Sequence, residues 1–209
     1  MVEPFWYEPA TRWPFLVFMA GSMFCLMSST LCHLFSCHSP KLTYWLYRLD
    51  YTGIATMIAT SYFPPVYYVF LCQPMWRHIY LTSISVLAIM TAVISLAPQF
   101  QTAKFRPLRT LAFASMGLAG LVPAAHKIIF FHHEPVCLQT LWYEFGMALF
   151  YLVGAAIYVA RIPERWKPGM FDIAGHSHQI FHVLVVAGAY THYRAGLLYL
   201  HWRDTYGCD

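Results

Sequence analysis

Six long apolar stretches separated by short polar segments set the pattern of this chain. They cover about residues 14–36, 50–72, 79–97, 108–131, 138–160 and 177–199. A helix needs roughly 20 predominantly apolar residues to cross the hydrocarbon core of a bilayer, so each stretch is read as one membrane span. The first carries no formal charge, the second opens on Asp50, the fifth contains Glu144 and the sixth holds three histidines. No internal repeat or low-complexity segment interrupts the order. The expected architecture is all-α: a polytopic membrane helical bundle with six spans, filling residues 1–209 as a single domain.

Punctuation residues refine this pattern. Pro64 and Pro65 in the second stretch and Pro123 in the fourth predict kinks, because neighbouring helices can satisfy the backbone groups that proline frees. Gly117, Gly120, Gly146 and Gly154 recur on the fourth and fifth stretches and are expected to let helices approach closely.

Composition excludes the alternatives. Of the 209 residues, 59% are hydrophobic and only 11% are charged, with a mean hydropathy of +0.49. Soluble domains carry about 25% charged residues, so a water-soluble globule would expose too much apolar surface, and disorder is excluded by the same figures. The net charge of +4 is scattered rather than clustered, which argues against a nucleic-acid partner. Six cysteines, at 25, 32, 37, 72, 137 and 208, show no CxxC spacing. Most lie in or beside apolar runs and are read as small packing residues.

Loop charge gives an orientation. The connections after the first, third and fifth stretches hold Lys41, Arg48, Lys104, Arg106, Arg109, Arg161, Arg165 and Lys167. The opposite side holds Arg12, Arg77, Lys127, Arg194 and Arg203. The positive-inside rule places the first group in the cytoplasm and both termini outside. Trp13, Trp45, Trp76, Trp142 and Trp166 fall near span ends, as an interfacial belt requires. The acidic, aromatic start shows no signal peptide. An external N-terminus without one is expected of a shortened seven-span protein.

Ionisable groups in lipid are costly, and each needs a role. His33, Asp50, His178 and His182 share the cytoplasmic depth in this orientation. His178 and His182 are four apart and share a helix face; with His33 they make a set of three imidazoles. Three histidines plus water is a catalytic zinc arrangement, and imidazole donors favour zinc over magnesium or calcium. Ser29 lies one turn from His33. It can serve a bound water or substrate, or bond its own helix backbone. Asp50 can accept a proton from the water or orient a ligand, or it can be a boundary aspartate favoured by a helix dipole. His126 and His192 are expected to hydrogen-bond inside the bundle.

The segments SSTLCHLFSCHS, RLDYTGIA and ARIPERWKPGMFDIAGHSHQIFHVLVV resemble the progestin and adipoQ receptor family, and within it the adiponectin-receptor-like heptahelical proteins of plants. The resemblance runs from about residue 12 to the C-terminal region and omits the family's first transmembrane helix. It implies a zinc ion on His33, His178 and His182, with the family's aspartate at Asp50 and its motif serine at Ser29. It also implies an integral membrane receptor in hormone, sugar or stress signalling, acting with membrane lipids and a signalling protein partner. Ceramidase-type hydrolysis of a sphingolipid amide is the chemistry such a site implies. The alternative is a non-enzymatic receptor or scaffold with structural zinc, although such zinc usually has four protein ligands. A transporter is disfavoured, because few charged groups lie at mid-membrane.

Overall fold

The computed structural model describes residues 9–101 and 105–208, with no β-strand among them. Eight α-helices follow in order: α1 (Trp13–Phe35), α2 (Pro40–Ser61), α3 (Phe63–Val69), α4 (Pro74–Leu96), α5 (Arg106–Ala119), α6 (Leu121–Phe131), α7 (Pro135–Ala160) and α8 (Ser177–Tyr206). Lys104 lies outside the described residues, as do the side chains of Arg106 and Arg109.

Proline explains both the starts and the interruptions. Pro40, Pro74 and Pro135 open α2, α4 and α7, where the missing N–H is not needed and the fixed φ suits the first turn. Inside a stretch the same residue ends a helix. α2 stops at Ser61 and α3 starts at Phe63, with Pro64 and Pro65 in its first turn. The fourth stretch divides at Gly120, and Pro123 falls in the first turn of α6. The expected kinks thus fall at Tyr62 and Gly120, where the assigned helices divide while the backbone keeps helical dihedrals, φ −75° and ψ −24° at Tyr62 and φ −66° and ψ −20° at Gly120.

Two boundaries also move. The second helix begins at Pro40, not near Asp50. Ser39 caps it, its hydroxyl accepting from the Leu42 N–H at 3.3 Å, and the cap sets the start where hydropathy does not. α8 continues past 199 to Tyr206, because its polar last turns are bonded into the protein rather than left in lipid.

Four segments are long and apolar enough to cross a membrane: Trp13–Phe35, Pro74–Leu96, Leu111–Phe131 and Pro135–Ala160, with mean hydropathies of 1.8, 2.1, 1.4 and 1.5. α2 and α8 fall below that mark because they carry the charged and imidazole side chains. Leu16, Met23, Ile89, Leu152 and Val159 are all exposed, an outer surface suited to lipid and not to water. The chain is an integral, multi-pass membrane protein.

The helices form two compact units, residues 1–131 with 199–209, and residues 132–198. In the first, α1 and α2 form an antiparallel pair that closes on two glycines. A Cβ on Gly21 would lie 2.0 Å from Thr60 Oγ1, and one on Gly53 would lie 2.3 Å from Ser28 Oγ and 3.1 Å from Cys25 Cα. Ala55, Ala59, Ile84 and Met116 then form a buried cluster joining α2, α4 and α5, and the Tyr62 hydroxyl donates to the Met116 carbonyl across it.

The far end of this unit is tied by polar bonds. The buried Arg203 donates to the Tyr68 carbonyl and, at 2.9 Å, to that of Val69. Lys127 Nζ donates to the Tyr199 hydroxyl at 2.8 Å. Asp204 pairs with Arg12 at 2.8 Å and accepts from the Ala10 N–H at 3.0 Å. A disulfide joins Cys72 to Cys208. This pair stands apart from the reading of most cysteines as small packing residues, whereas Cys25, Cys32 and Cys137 are buried and outside any disulfide. Disulfides persist in oxidising compartments, and both partners sit on the side that the loop charges assign to the exterior.

In the second unit α7 and the first part of α8 run antiparallel. A Cβ on Gly154 would touch Leu184 and Phe181 at 3.2 and 3.3 Å, and one on Gly188 would meet the Tyr151 ring at 2.6 Å. Gly117, expected to be a packing glycine, has no neighbour within 4 Å of a built Cβ. Gly120, where a Cβ would lie 2.9 Å from the Tyr62 hydroxyl, and Gly154 fill the expected role, and Gly21, Gly53 and Gly188 add close approaches of their own.

Candidate metal centre

On α1, Ser22, Ser29 and His33 recur at spacings of seven and four, which places them along one stripe of the helix. Within that stripe Ser29 is distinctive. Its neighbours bond their own helix, Ser28 to the Cys25 carbonyl at 2.9 Å and Thr30 to that of Leu26 at 2.8 Å. Ser29 Oγ is buried and has no hydrogen-bond partner among the described residues. The backbone-bonded reading of Ser29 is therefore not what the structure holds. A buried hydroxyl left this way costs about 1–3 kcal/mol, a cost that a ligand at this position would offset.

Asp50 lies in the middle of α2, well beyond the capped start at Ser39. The boundary-aspartate reading falls with that placement, since the helix dipole acts only over the first turn. The antiparallel register brings Gly53 against Cys25 and Ser28 and bonds the Thr43 hydroxyl to the Ser36 carbonyl. Asp50, between these two points, faces α1 at the level of Ser29. Its charge acts on the thiols of Cys25 and Cys32, which bracket that serine. One end of the α1–α2 pair therefore carries a hydroxyl, a carboxylate and the exposed His33.

On α8, His178 and His182 stand with ring centroids 4.7 Å apart. Tyr158 of α7 packs edge-on against His178 at 5.1 Å. Glu164 fixes the turn before them. Its carboxylate accepts from the Ser177 N–H at 2.8 Å and from the Ser177 hydroxyl. Burial opposes ionisation of Glu164, but these two donors hold its carboxyl below its ordinary range. Gln179 adds a second clasp, accepting from the Gly175 N–H at 2.6 Å and donating to the Ile173 carbonyl at 3.2 Å. The two imidazoles thus project from a helix start held from both sides.

Three of the remaining histidines have settings of their own. His126 Nδ1 is 2.8 Å from the Tyr80 hydroxyl, as expected of a bundle-bonded residue, and His192 is buried. His133 lies 3.7 Å from Glu134. Sequence reasoning missed Glu164 and Arg203, whose partners lie 13 and 134 to 135 positions away with no motif to link them. The Cys72–Cys208 pair did carry a signal, since loop charge already put both thiols on one side.

The haemolysin-III related family matches residues 2–193. The chain belongs to that family. It is 55% identical over 208 residues to the heptahelical transmembrane protein ADIPOR3 of Oryza sativa, covering 100% of this chain and 52% of the relative. It is 56% identical over 208 residues to heptahelical transmembrane protein 4 of Arabidopsis thaliana, again 100% of this chain and 54% of the relative. The adiponectin receptor protein of Drosophila melanogaster is 43% identical over 180 residues, 86% of this chain and 40% of the relative. The chain is adiponectin-receptor-like, as its motifs lead one to expect, and spans about half the length of these relatives.

Proposed function

We propose that this chain carries the zinc site of an adiponectin-receptor-like signalling protein and that the site hydrolyses the amide bond of a ceramide-type lipid. His33, His178 and His182 would hold the ion. The observation that carries this reading is the pair of imidazoles on one face of α8, 4.7 Å apart. The unpartnered Ser29 hydroxyl on the stripe of His33 fits the same donor set. When bound, zinc supplies Lewis acidity, lowering the pKa of water towards about 7 and polarising a carbonyl.

The chain's own residues supply the rest. Asp50 takes a proton from the attacking water, and Ser29 donates to the amide oxygen. The water oxygen bonds to the amide carbon, the C–N bond breaks, and the proton passes to the leaving nitrogen. The products are a fatty acid and a sphingoid base. Apolar helix faces suit the long acyl chain. A receptor role in hormone, sugar or stress signalling, with an unidentified protein partner, rests on family membership.

Zinc content and turnover of labelled ceramide by the detergent-purified chain test the proposal together. The expected result is one zinc per chain, lost along with turnover in His33→Ala and His178→Ala. Turnover unaffected by either substitution removes the zinc mechanism. Bound zinc without turnover removes the hydrolytic step and leaves a metal-stabilised receptor.

A further inference from the structure

The connection between α7 and α8 carries a second feature that the metal reading does not use. A cleft of about 520 Å³ opens there, lined by Arg161, Glu164, Arg165, Gly169 and Asp172 among others. Glu164 is committed to Ser177. Arg161, Arg165, Lys167 and Asp172 are exposed, and among the described residues no side-chain hydrogen bond or ion pair engages any of them. The uncommitted charge is therefore three cations against one carboxylate. Beside them the same connection exposes large apolar side chains: Trp166 at 70%, Met170 at 66% and Ile173 at 92%.

Neither half of this surface suits water alone. Three bare apolar side chains next to unpaired guanidinium groups match the headgroup boundary of a bilayer, where Trp anchors and basic residues meet lipid phosphate. Arginine's planar donors fit phosphate oxygens in pairs. The loop-charge bias puts this connection on the cytoplasmic side. We infer that Arg161 and Arg165 bind the phosphate of an acidic phospholipid of the cytoplasmic leaflet, while Trp166, Met170 and Ile173 enter its acyl boundary.

The test uses the full chain in neutral detergent with added short-chain phosphatidylglycerol, read by thermal shift and by native mass spectrometry. Wild-type protein should bind phosphatidylglycerol and be stabilised by it, and phosphatidylcholine should bind far more weakly. Each cation near an anionic surface is worth about fivefold in affinity, so Arg161→Gln with Arg165→Gln should weaken binding about 30-fold. A brominated phosphatidylglycerol should quench wild-type tryptophan emission, and Trp166→Phe should lower that quenching measurably, the other interfacial tryptophans keeping the remainder. Unchanged binding by the double variant, equal binding of phosphatidylcholine, or quenching indifferent to Trp166→Phe overturns the assignment. A full thermal shift from inorganic phosphate alone overturns it too, since the ligand is then a free anion and not a lipid.

Discussion

Replacing one hydrogen by one methyl group should have opposite consequences at Gly53 and Gly117. At Gly53 the new Cβ would lie 2.3 Å from Ser28 Oγ and 3.1 Å from Cys25 Cα. Ser28 is buried and bonded to the Cys25 carbonyl at 2.9 Å, so its hydroxyl cannot swing aside without losing that bond. Cys25 Cα is backbone and can yield only if α1 moves. Overpacking of this kind costs about 1–3 kcal/mol, and a backbone obstacle puts Gly53→Ala at the upper end. Alanine returns about 1 kcal/mol of helix propensity, leaving a net loss of about 2 kcal/mol. At Gly117 nothing lies within 4 Å of the built Cβ, so Gly117→Ala keeps the propensity gain of about 0.5–1 kcal/mol with no clash. The two variants should differ by about 3 kcal/mol, or roughly 6–12 °C in Tm on the scale of chains this size. Thermal unfolding in one detergent, followed by intrinsic fluorescence, measures it directly. Equal shifts for the two variants, or a stable Gly53→Ala protein, would refute the packing argument.

Further expectations concern the bonded end of the first unit. Arg203→Gln should lower stability by about 3 kcal/mol, because its charge-assisted bonds to the Tyr68 and Val69 carbonyls are lost in a buried setting. Combined with Cys208→Ser the loss should be less than additive in thermal melts, since Arg203 also donates to the Gly207 carbonyl next to that cysteine. A membrane-impermeant thiol reagent applied from outside should react with Cys72 and Cys208 only after reduction, and Cys37, free and exposed, should react only from the cytoplasmic side. Labelling of Cys37 from outside would reverse the assigned orientation. The hydrogen bond and charge of Arg12, with the Ala10 N–H, hold the Asp204 carboxyl below its ordinary value against a smaller opposing effect of burial. A depressed pKa adds stability above the unfolded value and loses it as pH falls through the folded one. Asp204→Asn should therefore cost up to about 1 kcal/mol at pH 7, as for other exposed pairs. Titrating unfolding of wild type and variant should show the difference begin to shrink near about pH 4, the unfolded carboxyl's range, and disappear only below the depressed folded pKa; a difference that persists in strong acid would refute the ion pair as its source.

Much of this was legible from the order of residues. Apolar length alone gave the membrane class, and four of the six stretches hold segments long and apolar enough to cross a membrane, because hydrocarbon thickness sets that length. The four-residue spacing of His178 and His182 foretold a shared face, as the 4.7 Å ring separation confirms. Hydropathy was blind where polar side chains are built into a helix. It started α2 at Asp50 and missed the cap at Ser39 and the turns carrying Lys41 and Arg48. It ended α8 at 199, although Arg203 and Asp204 continue it with their side chains bonded inside the first unit. Glycine roles were equally hidden, since which glycine meets a neighbour depends on the partner helix. Ser29 shows the limit most sharply: nothing in its neighbours' chemistry distinguishes it from Ser28, yet one hydroxyl is bonded and the other is not.

The bridge between Cys72 and Cys208 turns most of the polypeptide into a covalent ring, with a separation of 136 positions between its two sulfurs. A single protease cut in any connection inside that ring cannot release a fragment. Nicked protein should migrate as one species on a non-reducing gel and separate into pieces only after thiol treatment. Limited proteolysis can therefore map which connections face each side of the membrane without dismantling the molecule being mapped.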